Sequence, residues 1–189
     1  MIGPASAPTG RRFGAEAFGD TISASCSMVE GGHLGLDPTR KGPTMAHVNL
    51  GKQHPDAYKG VLALSATVDE AMARAGLDPL LAELVKIRVS QLNGCAFCLR
   101  MHTRDALAKG ESADRLAVLP AWWESQYFSG PERAALALAE EVTRLPVPQR
   151  REWDDGSLTG EQVSAISWLA IVMNAWNRVA ISSHYPVAP

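Results

Sequence analysis

From position 45 onward the apolar positions recur with the period of α-helices, and cap residues mark the breaks between them. A first helix is expected from Pro55, carrying Tyr58, Val61, Leu62, Leu64, Val68 and Met72, with Gly76 just past its end. Asp78-Pro79 opens a second, capped by the aspartate with proline in its first turn. Leu80, Leu81, Leu84, Val85, Ile87 and Leu92 give it a buried face, and Asn93-Gly94 breaks it. A third helix runs from Cys95 to about Lys109 and stops at Gly110. Ser112 caps a short fourth leading into Trp122-Trp123, which are expected to pack between helices.

Two capping boxes follow, in which a hydroxyl and a carboxylate or carboxamide satisfy each other's free backbone amides. Ser129 to Glu132 opens a helix through Leu136, Leu138 and Val142, ended by Pro146 and Pro148. Thr159 to Gln162 opens a long final helix over about 160–182. Ile166, Trp168, Leu169, Ile171, Val172, Met173, Trp176, Val179 and Ile181 surround it with apolar surface, so burial is expected all round, within the domain or between subunits. No strand or hairpin signal and no internal repeat appears, so the chain reads as all-α.

The first 44 residues differ. Eight of the 16 glycines lie there, at positions 3, 10, 14, 19, 31, 32, 35 and 42, without Trp, Tyr or any helical period. Such a stretch buries too little apolar surface to offset its ordering entropy. Residues 1–44 therefore read as a flexible N-terminal extension, or as residues upstream of a true start at Met45, and residues 45–189 as the domain.

Charge and length narrow the class. A net charge of -2 gives no electrostatic reason to expect nucleic acid or an anionic membrane as partner. No apolar run reaches the ~18 residues of a membrane span, and the first thirty residues lack the ~7–15 residue apolar core of a secretory signal. A cytoplasmic protein is expected. Its three cysteines, Cys26, Cys95 and Cys98, are too few for a disulfide scaffold, and in that compartment a close pair points to redox or metal chemistry.

Cys95, Cys98 and His102 stand three and four residues apart, so a helix beginning at Cys95 puts all three on one face. Both sulfurs then lie in the first turn, where free amides and the helix dipole favour a thiolate and are expected to lower its pKa. His102 lies one turn on, placed to exchange a proton with Cys98. Glu83 precedes Cys95 on the second helix, and folding at Asn93-Gly94 is expected to bring its carboxylate to the thiols, completing a proton relay.

Other readings stay open at this point. Cys95, Cys98 and His102 would supply three zinc ligands. His33, His47, His54 and His184 fall in no ligand spacing that would complete the set. Haem attachment needs a histidine where Leu99 stands. Inert core thiols are a further possibility. Asn174, Asn177 and Arg178, polar on a buried helix, require partners. Cys26 reads as an incidental exposed thiol.

The segment with Glu83, Lys86-Ile-Arg88, Ser90-Gln91, Asn93-Gly94-Cys95-Ala96, Cys98 and Met101-His102 resembles the signature of alkylhydroperoxidase D-like proteins of the carboxymuconolactone decarboxylase superfamily. His54 to Tyr58, Ala121-Trp122, Glu132 to Ala139 and Asn174 to Arg178 extend the resemblance over about residues 45–187, in family order. It implies an all-helical fold that assembles as a homotrimer or homohexamer. It also implies that Cys98 is the peroxidatic thiol, Cys95 the resolving thiol, His102 the base and Glu83 the acidic relay member. An organic hydroperoxide would be the substrate and a dithiol or lipoyl-bearing protein the reductant, with no metal or organic cofactor.

In well-studied members a histidine immediately precedes the second cysteine; here Phe97 stands there, which shortens the proton path or weakens peroxidase activity. The segment between Leu145 and Thr159 is also shorter than in relatives. Two alternatives accompany the peroxidase reading. One is a decarboxylase or isomerase of a small carboxylated lactone using Glu83 and His102, though that branch generally lacks the cysteine pair. The other is a redox-sensing oligomer that cycles the pair without turnover.

Overall fold

A computed structural model describes residues 48–145 and 155–188. The expected flexible extension over 1–44, Cys26, and the helix-ending Pro146 and Pro148 lie outside the described residues. Within them the chain is helical throughout: α1 (Leu50–Gln53), α2 (Pro55–Arg74), α3 (Pro79–Asn93), α4 (Ala96–Ala108), α5 (Ala113–Val118), a 3-10 turn (Leu119–Glu124), α6 (Gly130–Arg144) and α7 (Gly160–Ser182).

Local chemistry explains the boundaries. Asp78 accepts the Leu80 amide at 2.8 Å to start α3, and Ser112 accepts the Arg115 amide at 3.2 Å to start α5. Both capping boxes form, at Ser129/Glu132 and Thr159/Gln162. The short α1, which apolar periodicity did not signal, is held by a cap. Asn49 Oδ1 accepts the Lys52 amide at 3.0 Å, and the Leu50 amide donates to buried Ser183 Oγ at 3.1 Å.

Helix α3 is the axis of the bundle, packed by α7, α4 and α6, while α2 lies along α7. Its buried residues face every direction and include Glu83, Arg88 and Ser90. Leu81, Val85 and Val89 join Ile166, Leu169 and Met173 of α7 in the main core. Leu84 and Ile87 join Leu119, Trp122, Phe128 and Leu136 in a second cluster. Each fully buried leucine or isoleucine contributes about 1.5–3 kcal/mol, which is why α3 is recruited to the centre.

Polar groups carried inward by α3 are paired. Arg88 meets Glu140 of α6, its Nε and Nη2 donating to Oε1 at 2.8 and 2.7 Å. Trp122 Nε1 donates to the same oxygen at 2.8 Å.

One expectation about burial needs correction, and two helices are covered only in part by the described residues. Trp122 is buried as expected, but Trp123 is 49% exposed. On α7, Trp168, Ile171 and Ile181 are 44–48% exposed, so among the described residues the helix is not covered all round. On α2 only Val68 and Met72 are buried, while Leu62 and Leu64 remain open. The reason is geometric: a helix at the edge of a bundle packs one stripe, and apolar residues off that stripe are only partly covered by the described residues.

Candidate functional site

The α3–α4 turn builds the site. Gly94 adopts φ +68°, the left-handed conformation that costs a side-chain-bearing residue about 1–2 kcal/mol, and it ends α3. The Cys95 amide closes the turn onto Ser90 O at 3.0 Å. Cys95 then caps α4, its Sγ accepting the Cys98 amide at 3.4 Å. The chain reverses, and α4 lies back along α3.

That reversal brings the predicted residues together in two linked pairs. Cys95 and Cys98 are both buried, with their sulfurs 2.7 Å apart. One turn on, His102 Nδ1 lies 3.0 Å from Glu83 Oε2. The carboxylate was expected to meet the thiols; it bonds the imidazole instead, because the fold-back sets His102 beside it.

Glu83 is 2% exposed, and burial alone would raise its pKa. The bonds from His102 and Lys109, with the charge of Lys86, more than reverse that and lower it to about 2. Lys109 Nζ donates to Oε1 at 2.6 Å, and Lys86 Nζ lies 3.4 Å from the same oxygen. An ionised carboxylate only accepts, so Nδ1 of His102 carries the proton and Nε2 is left for other chemistry.

The thiols depart from expectation. Position in the first turn of α4 was expected to lower the Cys98 pKa, yet the thiol is pushed up to about 12. Burial is the main cause, and the adjoining Cys95 sulfur adds to it, since two buried sulfurs resist carrying two charges. The nearby Asn177 carboxamide of α7 acts in the opposite direction.

Cys98 and His102 line a cavity of about 350 Å³ between α2, α4 and α7. Its walls are mostly apolar: Leu62, Val68, Phe97, Leu169, Met173 and Trp176. Tyr185 closes one side, its ring 5.0 Å from Phe97 in an edge contact. Cys95 and Glu83 do not line the cavity; they stand behind Cys98 and His102 respectively.

Sequence reasoning missed Lys109 as a partner of Glu83. The signal was present: Lys109 follows His102 by seven residues, two turns on along the same face of α4. Tyr58 and Tyr185 were missed as cavity residues because only the packing of α2 and the chain after α7 brings them there. Among the described residues, those whose ligand atoms converge, within 4.8 Å, are Glu83, His102 and Asp105, rather than the Cys95, Cys98 and His102 set considered for zinc. Lys109 at 2.6 Å already neutralises Glu83 in that group.

Fold and site together define an all-helical protein with a dithiol at a helix N-terminus, opening on an apolar cavity beside a carboxylate–imidazole pair. The sequence model of the carboxymuconolactone decarboxylase family matches residues 55–141. YdfG of Bacillus subtilis (strain 168), itself uncharacterised, is 42% identical over 109 residues, covering 53% of this chain and 71% of YdfG. The uncharacterised YnjA of Escherichia coli (strain K12) is 34% identical over 73 residues, covering 39% of this chain and 40% of YnjA. The crystal structure of ATU0492 from Agrobacterium tumefaciens superposes with a TM-score of 0.63 at 29% identity. It covers 75% of this chain and 99% of ATU0492, a protein of unknown function suggested to be the antioxidant defence protein AhpD. The chain belongs to the carboxymuconolactone decarboxylase family.

Proposed function

We propose that the protein is a thiol-dependent hydroperoxide reductase acting on organic hydroperoxides. The observation that carries this reading is the layering of the site: Cys98 and His102 face an apolar cavity, and Cys95 lies directly behind Cys98. His102 Nε2 takes the Cys98 proton, with Nδ1 held by Glu83. The thiolate attacks the terminal peroxide oxygen; an S–O bond forms, the O–O bond breaks, and the alkoxide leaves as an alcohol with the proton returned by His102. Cys98 is now a sulfenic acid. Cys95 attacks its sulfur, an S–S bond forms, and hydroxide leaves as water. A dithiol or lipoyl-bearing partner supplies the two electrons and two protons that restore the thiols.

An apolar lining suits an organic rather than an inorganic peroxide. The test follows loss of cumene hydroperoxide with dithiothreitol as reductant. Cys98→Ser is expected to abolish turnover, and Cys95→Ser to leave a sulfenic acid at Cys98 that dimedone traps. Equal rates for wild type and Cys98→Ser would refute the mechanism.

One observation favours a second reading. The Glu83–His102 pair at 3.0 Å is also suited to proton transfer on a small carboxylated lactone. Lactone turnover that survives Cys98→Ser would establish it. The peroxidase reading carries with it a cytoplasmic setting and a homotrimer or homohexamer. No helix among the described residues is long and apolar enough to cross a membrane.

A further inference from the structure

Among the described residues, four aromatic rings stand in the cavity wall, in two edge-to-face pairs. Tyr58 of α2 meets Trp176 of α7 with ring centres 5.0 Å apart and planes at 74°. Phe97 of α4 meets Tyr185 with ring centres 5.0 Å apart and planes at 78°. Trp176 is held in place, because its Nε1 donates to Ser65 Oγ at 2.7 Å and that hydroxyl donates to Val61 O at 2.9 Å. Phe97 immediately precedes Cys98, so aromatic wall and cavity-lining sulfur are consecutive in the chain.

Tyr185 lies beyond the last helix, and the backbone is bent to bring it back. Ser183 ends α7, and His184 follows in the left-handed conformation at φ +47°. The His184 amide donates to Ile181 O at 3.0 Å, and the Tyr185 amide to Ala180 O at 3.0 Å. Those two bonds make the helix-ending turn in which glycine is the usual left-handed residue, and His184 takes that place despite its side chain. Buried Ser183 anchors the turn by accepting the Leu50 amide at 3.1 Å. Pro186 disfavours helical backbone at Tyr185. A strained and anchored turn thus holds the Tyr185 ring against the cavity.

We propose that Tyr185, paired with Phe97, is a specificity-determining residue that selects hydroperoxides whose organic group carries an aromatic ring. The hydroperoxide part rests on the function proposed above; the preference for a ring rests on the wall itself. Each ring has a negative face and a positive edge, so a third aromatic ring gains contacts that a saturated ring of similar size does not. Apolar burial alone predicts the reverse, since a cyclohexyl group has no less apolar surface to bury than a phenyl group. At about 350 Å³ the cavity is near the lower end of ligand sites, which suits one compact ring rather than a long acyl chain.

The test measures binding of two alcohols to the reduced full-length protein by titration calorimetry. Cumyl alcohol is the product that cumene hydroperoxide would leave, and cyclohexyl dimethyl carbinol is its saturated counterpart. Wild type is expected to bind cumyl alcohol about threefold or more tightly than the saturated alcohol. Tyr185→Leu stays apolar but loses the ring, and the preference is expected to fall at least about twofold, whereas Tyr185→Phe retains it. Should Tyr185→Leu fail to fold by circular dichroism, Phe97→Leu is expected to lower the preference in the same way. Equal affinity for the two alcohols in wild type, no binding of either at millimolar concentration, or an unchanged preference in a folded leucine variant overturns the proposal. Binding of the alcohols needs no turnover. A wild type that prefers cumyl alcohol, yet leaves cumene hydroperoxide intact, would therefore refute the peroxidase reading and leave the aromatic selectivity standing.

Discussion

Replacing Glu83 by glutamine tests the electrostatic centre of the site. The carboxylate is 2% exposed and bonded to His102 at 3.0 Å and Lys109 at 2.6 Å, with Lys86 at 3.4 Å. Its pKa falls from 4.5 in the unfolded chain to about 2 in the fold. At 1.36 kcal/mol per unit, that difference is about 3 kcal/mol of stability near neutral pH, with no reduction for solvent screening at so buried a group. The folded-state pKa is depressed, so the contribution is fully present above pH 4.5 and is lost as pH falls toward 2. Glu83→Gln keeps the shape but removes the charge, leaving Lys109 and Lys86 without their anion. Urea denaturation of wild type and variant at pH 7 should differ by about 3 kcal/mol, and the gap should shrink when the measurement is repeated at pH 4 and pH 3. A variant as stable as wild type at pH 7, or a gap that does not change between pH 7 and pH 3, would refute the reasoning.

Two further outcomes are expected elsewhere in the fold. Glu140→Ala leaves Arg88 buried and without its carboxylate, and the loss of stability should be about 3–5 kcal/mol, readable as a lower urea midpoint. Gly94→Ala meets no steric obstacle, since an added Cβ has nothing within 4 Å, so its cost of about 1–2 kcal/mol should come from the positive φ alone and appear as a lower Tm.

Much of the fold was legible in the chain because its signals are local. Pro55, Asp78, Ser112, Ser129 and Thr159 start helices by bonding or sparing amides within three residues of themselves, so no distant partner decides them. Gly76, Gly94 and Gly110 sit at positive φ beside helix ends, again a property of the residue. Cys95, Cys98 and His102 share a helix face for the same reason. What local signals leave undecided is burial. Trp168, Ile171 and Trp123 are apolar but only half-covered by the described residues, and apolarity alone does not say which stripe of a helix a bundle will use.

The sequence by itself determined the helices, their order, the reversal at Gly94 and the grouping of two thiols and an imidazole, because each follows from contacts a few residues apart. Only the tertiary structure decided the electrical state of that grouping. It set Glu83 against His102 and Lys109 rather than against sulfur, turned Cys98 toward a cavity and Cys95 away from it, and joined Asn177 of α7 to Ser90 and Asn93 of α3. Those outcomes depend on how far each group is removed from water and which charge lies beside it. They override the helix N-terminus that the sequence places at Cys98, because desolvation of a buried thiolate outweighs the partial charge of one helix end.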